Sequence, residues 1–305
     1  MIYLNFDNKS TPQSGKIEVC KTQLYQGKKG ALVTSILPEN ITDENRSANY
    51  VANFFKEHKI GQILAKSNFK KEKGFPCKEL LQFLVTLIFL GKNLYRYLDI
   101  NTDSSPFQKD AVYRFLNDCH YNWRKFLLFL SSQIIRSRIV PLTDEKRVNV
   151  FIVDDSLFSR SRSKSVELLA RVFDHVKHRY DRGFRMLTLG WSDGNTFLPL
   201  AFSLLSSEKE SNRLCGMNDS MDKRSNGYRL RKEAVRKSTD VLLDLLKSAR
   251  AYMVPASYLL FDSWFAFPAV ARKIREQKLH VICMLKSMPK VYYDYQGQKL
   301  NLNKL

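Results

Sequence analysis

Two aspartates terminate apolar runs that read as buried strands, and a pair of carboxylates delivered in this way can hold a divalent cation. The runs are Val148 to Ser156, VNVFIVDDS, and Tyr258 to Phe265, YLLFDSWF. Both are rich in β-branched and aromatic residues, the pattern of a strand inside a sheet. An ionised carboxylate in such a strand costs several kcal/mol unless it is paired, hydrogen-bonded or bound to a metal. Asp154, with Asp155 as its adjacent alternative, and Asp262 therefore need partners, and neighbouring strands would let them share a cation. Oxygen donors with no accompanying His or Cys pair suit Mg²⁺. The competing reading is that each acid caps a helix. It is stronger for Asp262, which precedes an expected helix from Ala266 to Gln277, than for Asp154, which is followed by polar Ser159, Arg160, Ser161, Arg162 and Ser163.

Composition indicates what such acids would act on. Fifty Lys and Arg stand against 30 Asp and Glu in 305 residues, a formal net charge of +20. A balance of that size concentrates polyanions, and phosphate contacts with counterion release supply most non-specific nucleic-acid affinity. Nucleic acid is the leading partner. Apolar residues at 44% and aromatic residues at 12% imply a substantial core and not a charged tail, and the length suits about two domains. The strongest apolar stretch, Leu80 to Leu90, holds Gln82 and Thr86 and is too short for a bilayer that needs ~20 residues, so no membrane role is expected. The start, MIYLNFDNKS, lacks the pattern of a signal peptide. Five cysteines, odd in number and without a CxxC pair, read as reduced thiols of a cytosolic protein.

The elements that must position the aspartates follow from periodicity. Residues 1–45 form a polar arm with little pattern. Residues 46–140 look like an all-α N-terminal domain. Its expected helices are Asn49 to His58, Pro76 to Leu98 as one helix or a broken pair, Phe107 to Asn117 opened by Ser105-Pro106, and Trp123 to Ile139. Lys109 and Arg114 lie on the third of these beside apolar Val112 and Phe115, as on helices that enter a DNA groove, although a solvated basic face is an equal reading. After Pro141 the texture changes to strands: Val148 to Asp155, Arg171 to Val176, and Phe184 to Ser192 joined to Thr196 to Leu205 through the turn Asp193-Gly194-Asn195. A charged connection over 206–232 leads to a helix from Glu233 to Tyr252, then the strand ending at Asp262, the helix Ala266 to Gln277 and a strand from His280 to Leu285. Three strands with an acid on the first, a helix, and a further strand with an acid is the order of a ribonuclease H-like α/β core, a mixed five-stranded sheet with helices, expected over 141–290. In that order the two acid-bearing strands are neighbours.

At these residues the chain resembles a family. VDDS at 153–156, RSKSVELLARVFDH at 162–175, RGFRMLTLGWSDGNTFLPLAFSLLSSEKE at 182–210 and LLFDSWFAFP at 259–268 look like the DDE transposases of bacterial insertion sequences, of the group usually called family four. The resemblance maps the first catalytic aspartate, in a strand-ending D-x-S/T, to Asp154 and the second to Asp262. It implies two Mg²⁺ or Mn²⁺ ions on the scissile phosphate, cleavage at the terminal inverted repeats of a mobile element, strand transfer into target double-stranded DNA, a homodimer in the DNA complex and a place at the bacterial nucleoid. It also implies a third ligand, a glutamate beyond a β-rich insertion after the last core strand. The segment YYDYQGQKLNLNKL, within 291–305, resembles the start of that insertion, so the resemblance further implies a C-terminally truncated and incomplete transposase. Glu276 follows Asp262 but sits among Arg272, Lys273, Arg275 and Lys278, as a solvated helix-face residue would. His175 and His178 read as exposed strand residues, Trp191 and Trp264 as core, and Lys286, past the last strand, as a DNA phosphate contact. The rival readings are a catalytically dead DNA-binding fragment and a ribonuclease H-like nuclease indifferent to paired repeats.

Overall fold

A computed structural model of the chain describes residues 43–304 except 102–104, 106, 145 and 219. Nearly all of the expected N-terminal arm, with Cys20, thus lies outside the described residues; only 43–45 are seen, and they open the first helix. Six helices come first: α1 (Asp43–Glu57), α2 (Ile60–Lys66), α3 (Cys77–Phe89), α4 (Leu94–Ile100), α5 (Lys109–Asn117) and α6 (Trp123–Ile134). The apolar stretch after Pro76 is a broken pair. Gly91 at φ +63° turns the chain, and the Asn93 side chain then caps α4 by accepting the Arg96 N–H. Ser105 does not open α5, since its hydroxyl donates to the nearby Phe107 carbonyl and the helix begins later, after Gln108.

These helices share a core built around Phe69, whose ring stacks on Tyr121 at 4.6 Å and meets Trp123 edge-on at 4.6 Å, with Val51, Phe55, Leu64, Leu80, Val112 and Phe115 packed about it. The helices are continuous with the sheet, the described residues from 43 to 304 falling in one compact unit. Helix α6 is the reason. Its Trp123, Phe126 and Phe129 pack on the helical core while Leu128, together with Ile135 just beyond it, belongs to the core of the sheet. Ser131 Oγ, on the same helix, donates to the Pro199 carbonyl at 2.7 Å.

The strands are β1 (Val150–Ser159), β2 (Ala170–Asp174), β3 (Arg179–Ser192), β4 (Phe197–Leu205), β5 (Tyr258–Phe261) and β6 (His280–Cys283). They form one mixed sheet of six strands and not five, in the order β2-β3-β1-β5-β6, with β4 also on β3. Strands β3 and β1 are antiparallel, whereas β5 and β6 run parallel to β1 and to each other. The first and fourth core strands are therefore adjacent, as a ribonuclease H-like order requires. The sixth strand is β2, expected as a strand over Arg171 to Val176; it joins the sheet because β3 starts at Arg179, in a polar stretch that hides its alternation, and pairs with it there in a hairpin. Phe151, Val153, Leu187, Leu189, Leu259 and Phe261 fill one core with Val241, Leu245 and Ala249 of α8 (Ser238–Ala251) and Val270 and Ile274 of α9 (Pro268–Glu276). The charged connection holds a further helix, α7 (Asn226–Ala234), capped by Ser225, so the long helix expected after Glu233 is broken before Ser238. A separate hairpin, β7 (Tyr293–Tyr295) and β8 (Gln298–Leu300), turns through Gln296 and Gly297, both at positive φ.

Backbones approach closely where β1 ends. A Cβ on Gly183 would stand 2.4 Å from the Phe158 carbonyl oxygen. Backbone cannot yield as a side-chain tip can, so Gly183→Ala is expected to destabilise the chain by about 1–3 kcal/mol; a thermal midpoint unchanged from wild type would contradict this close approach. The described cysteines are free, and among the described residues no helix is long and apolar enough to cross a membrane.

Candidate active site

The parallel register of β1 on β5 runs from Val150↔Tyr258 to Val153↔Phe261. One step further along both chains stand Asp154 and Asp262. Phe151, Val153, Leu259 and Phe261 point into the core, so alternation turns the two aspartates to the opposite side of the sheet, both exposed. Neighbouring strands lie ~4.8 Å apart. Residues far apart in sequence thus stand one position beyond paired residues of neighbouring strands, at the C-terminal end of β5.

Asp155 faces the other way. Its side chain is 6% exposed, with Arg185 Nε donating to Oδ1 at 3.0 Å and Nη2 standing 2.9 Å from Oδ2. Burial pushes its carboxyl above the ordinary aspartate value; the Arg185 charge and hydrogen bond oppose that shift, and the Asp154 charge adds to it. Arg185 also lies over the ring of Trp264, 5.0 Å from its centroid, and His175 meets that ring at 5.9 Å. One guanidinium therefore ties the residue after Asp154 to the second residue after Asp262. Trp264 is not core: it is 44% exposed, whereas Trp191 is fully buried with its indole N–H on the Pro255 carbonyl at 2.7 Å. Arg185 went unnoticed in the sequence, where it is one basic residue among many; its place opposite Leu157, two residues beyond Asp155 on the same side of β1, is a matter of register.

Asp262 does cap a helical turn, but not the expected helix. Its side chain accepts the Ser263 N–H and its carbonyl accepts the Phe265 N–H at 3.1 Å, closing a 3₁₀ turn, while α9 starts only at Pro268. Glu276 ends α9, near His280, which pairs with Tyr258 at the far end of β5. The length of α9, roughly 1.5 Å per residue, separates it from Asp262, and it is an exposed residue 4.0 Å from Arg272. Among the described residues a three-ligand group forms elsewhere, at Asp118, Cys119 and His120, whose spacing follows from Asp118 accepting the His120 N–H at 2.9 Å.

The candidate DNA contacts are dispersed. Lys286 is exposed beyond β6, at the same edge of the sheet as Asp262. Lys109 and Arg114 are exposed on α5; the former lies 4.0 Å from the Tyr95 ring centroid, and the latter donates to the Asp110 carbonyl of its own helix. His175 and His178 are exposed and both lie in the turn between β2 and β3, not in a strand, the second at φ 49°.

Known proteins share parts of this chain. No curated protein matches it. Among solved structures it is similar to a piggyBac transposase in a synaptic complex with hairpin DNA, at 14% identity and a TM-score of 0.33, over 81% of this chain and 43% of that one. The profile of the family described as DDE superfamily endonuclease matches residues 93–301, which include both aspartates and the strands that carry them. The chain belongs to the DDE superfamily endonucleases.

Proposed function

We propose that this chain is a DNA-processing transposase of the insertion-sequence type, with Asp154 and Asp262 as the metal-binding catalytic pair. The observation that carries the reading is their adjacency in register, at exposed positions on the side of the sheet opposite the main core. The donor set fits the divalent cation on which the superfamily depends: two hard carboxylates, free of ion pairs among the described residues, reachable from solvent and one position beyond paired residues of neighbouring strands. Mg²⁺ or Mn²⁺, as a pair of ions, suits those donors. When bound, such ions polarise the scissile phosphodiester and lower the pKa of the attacking hydroxyl or water. The protein's own part is positional. Strands β1 and β5 fix the two carboxylates, Arg185 holds Asp155 out of the site, and Trp264 anchors the turn after Asp262. Asp155 is therefore assigned to structure and Asp154 to the metal.

Glu276 is assigned no catalytic part, and a third carboxylate, as the resemblance implies, would have to come from outside the described residues. Binding to terminal repeats and target DNA, with a second copy of the chain, belongs to the same reading, as does the assignment of Lys109, Arg114 and Lys286 to phosphate contacts. A catalytically silent DNA-binding form is the second reading, favoured by the lack of a third acid beside the pair among the described residues. The test is to incubate the chain with duplex DNA and Mg²⁺ or Mn²⁺. Affinity that falls steeply with salt, and slow nicking that needs the metal and is unaffected by Glu276→Gln, is the expected result. Absence of affinity at low salt, or cutting that persists in a chelator, would overturn the proposal; affinity without nicking would select the silent form.

A further inference from the structure

The hairpin of β2 and β3 carries an unusual rung. Its ladder sets Arg171 directly opposite Arg182. Like charges facing each other across antiparallel strands repel, and sheets ordinarily place opposite charges there. Further along the ladder this hairpin does so, with Asp174 opposite Arg179. Both arginines of the like-charged rung are exposed, and among the described residues neither has a carboxylate within ion-pair distance. The nearest acid in sequence is turned aside: Asp181 accepts the Ser159 hydroxyl at 2.8 Å and the Arg182 backbone N–H at 2.7 Å. A third arginine joins them, as the Arg160 N–H donates to the Arg182 carbonyl at 2.7 Å while its guanidinium lies over the Phe158 ring. Tyr180, 68% exposed, is next on the same side of β3.

Register relates this rung to the aspartates. Side chains alternate along β3, so Arg182, Phe184, Met186 and Thr188 share one side, and Thr188 is the partner of Asp154. The rung lies on the aspartate side of the sheet, roughly 20 Å along the strand at ~3.4 Å per residue. That span corresponds to about six nucleotides of one duplex strand at ~3.4 Å each.

We infer that Arg171, Arg182 and Arg160 form a phosphate clamp that grips the backbone of duplex DNA to one side of the aspartate pair. The inference rests on the DNA-processing reading. A phosphate between the two guanidiniums removes the repulsion and replaces it with charge-assisted hydrogen bonds, so the rung is arranged for an anion that the chain does not itself supply.

The test uses the full chain and a labelled duplex in anisotropy titrations over a salt series, with thermal unfolding measured in parallel without DNA. The double variant Arg171→Ala/Arg182→Ala is expected to lower the log–log salt slope by about 0.9, the value for the one phosphate left without its clamp. Arg171→Glu is more telling, since it sets a carboxylate against Arg182: DNA affinity should fall by more than in Arg171→Ala, while the unfolding midpoint should hold or rise. Wild-type binding that the double variant matches in slope would overturn the clamp, and so would weaker binding by Arg171→Glu accompanied by a lower midpoint. A wild-type chain with no salt-dependent affinity would instead sink the DNA-processing reading itself.

Discussion

Replacing Asp262 or Asp154 by asparagine is expected to abolish divalent-cation binding at the site while leaving the fold and DNA affinity in place. An amide offers one neutral oxygen where the carboxylate offered a charge and two. Loss of outer hydrogen-bonding partners alone costs metal sites ~10–100-fold in affinity, and loss of a ligand should cost more. Mn²⁺ titration followed by electron paramagnetic resonance reads this directly. In a plasmid-nicking assay, whatever Mg²⁺-dependent rate the chain shows should fall by about a thousandfold, corresponding to about 4 kcal/mol of transition-state stabilisation. Asp155→Asn provides the contrast, because Asp155 points away from the site and pairs with Arg185. It should keep Mn²⁺ binding at the lower stability expected of an unpaired Arg185. Undiminished Mn²⁺ binding in Asp154→Asn, with loss in Asp155→Asn, would reverse the assignment of the two neighbours.

The largest effect on stability is expected away from the aspartates. Arg124 on α6 donates to Glu233 of α7 through Nη1 at 2.8 Å and Nη2 at 2.6 Å, and Ser203 on β4 donates to the same carboxylate. The Arg124 and Glu233 side chains are only 18% and 13% exposed. Arg124 Nε also donates to the Phe202 carbonyl at 3.1 Å, so the group binds the helical segment to the sheet. Removing one partner of a buried pair leaves the other charge without compensation, and Glu233→Ala should cost about 3–5 kcal/mol, a large share of the ~5–15 kcal/mol that holds a typical domain. Burial raises the Glu233 carboxyl, but the Arg124 hydrogen bonds and charge, with Ser203, outweigh it and bring it below the ordinary value of 4.5. A depressed acid contributes stability that is present above its unfolded value and is lost as pH falls through the folded one. Glu233→Gln should accordingly flatten the acid limb of the stability curve below about 4.5. Chemical denaturation across that range measures both effects; a Glu233→Ala chain as stable as wild type would show that the cluster does not join the two parts.

The aspartates were visible in the sequence because each follows a run of apolar residues whose only stable place is inside a sheet, and that constraint acts locally. The order of strands and helices carried the same information about topology, since a parallel β5 beside β1 needs the helical crossover that α7 and α8 supply. Local patterns could not choose between Asp154 and Asp155. Adjacent residues of a strand point to opposite sides, and only the pairing of β1 with both β3 and β5 decides which side is core. The same holds for Arg185, which reads as one charge among 50 until register brings it to Asp155 and Trp264. The start of β3 was hidden because residues 179–183 are polar on both sides, leaving no alternation to detect. Whether the helices stand apart was likewise a tertiary question: the amphipathic pattern of α6 shows that it is buried but not that two cores share it. The sequence by itself thus determined the kinds of elements and the acids at their ends, because these depend on residue type and short-range period. The tertiary structure decided which acid faces away from the main core, which arginine pairs with its neighbour and where the helices join the sheet, because those depend on register and packing between residues far apart in the chain.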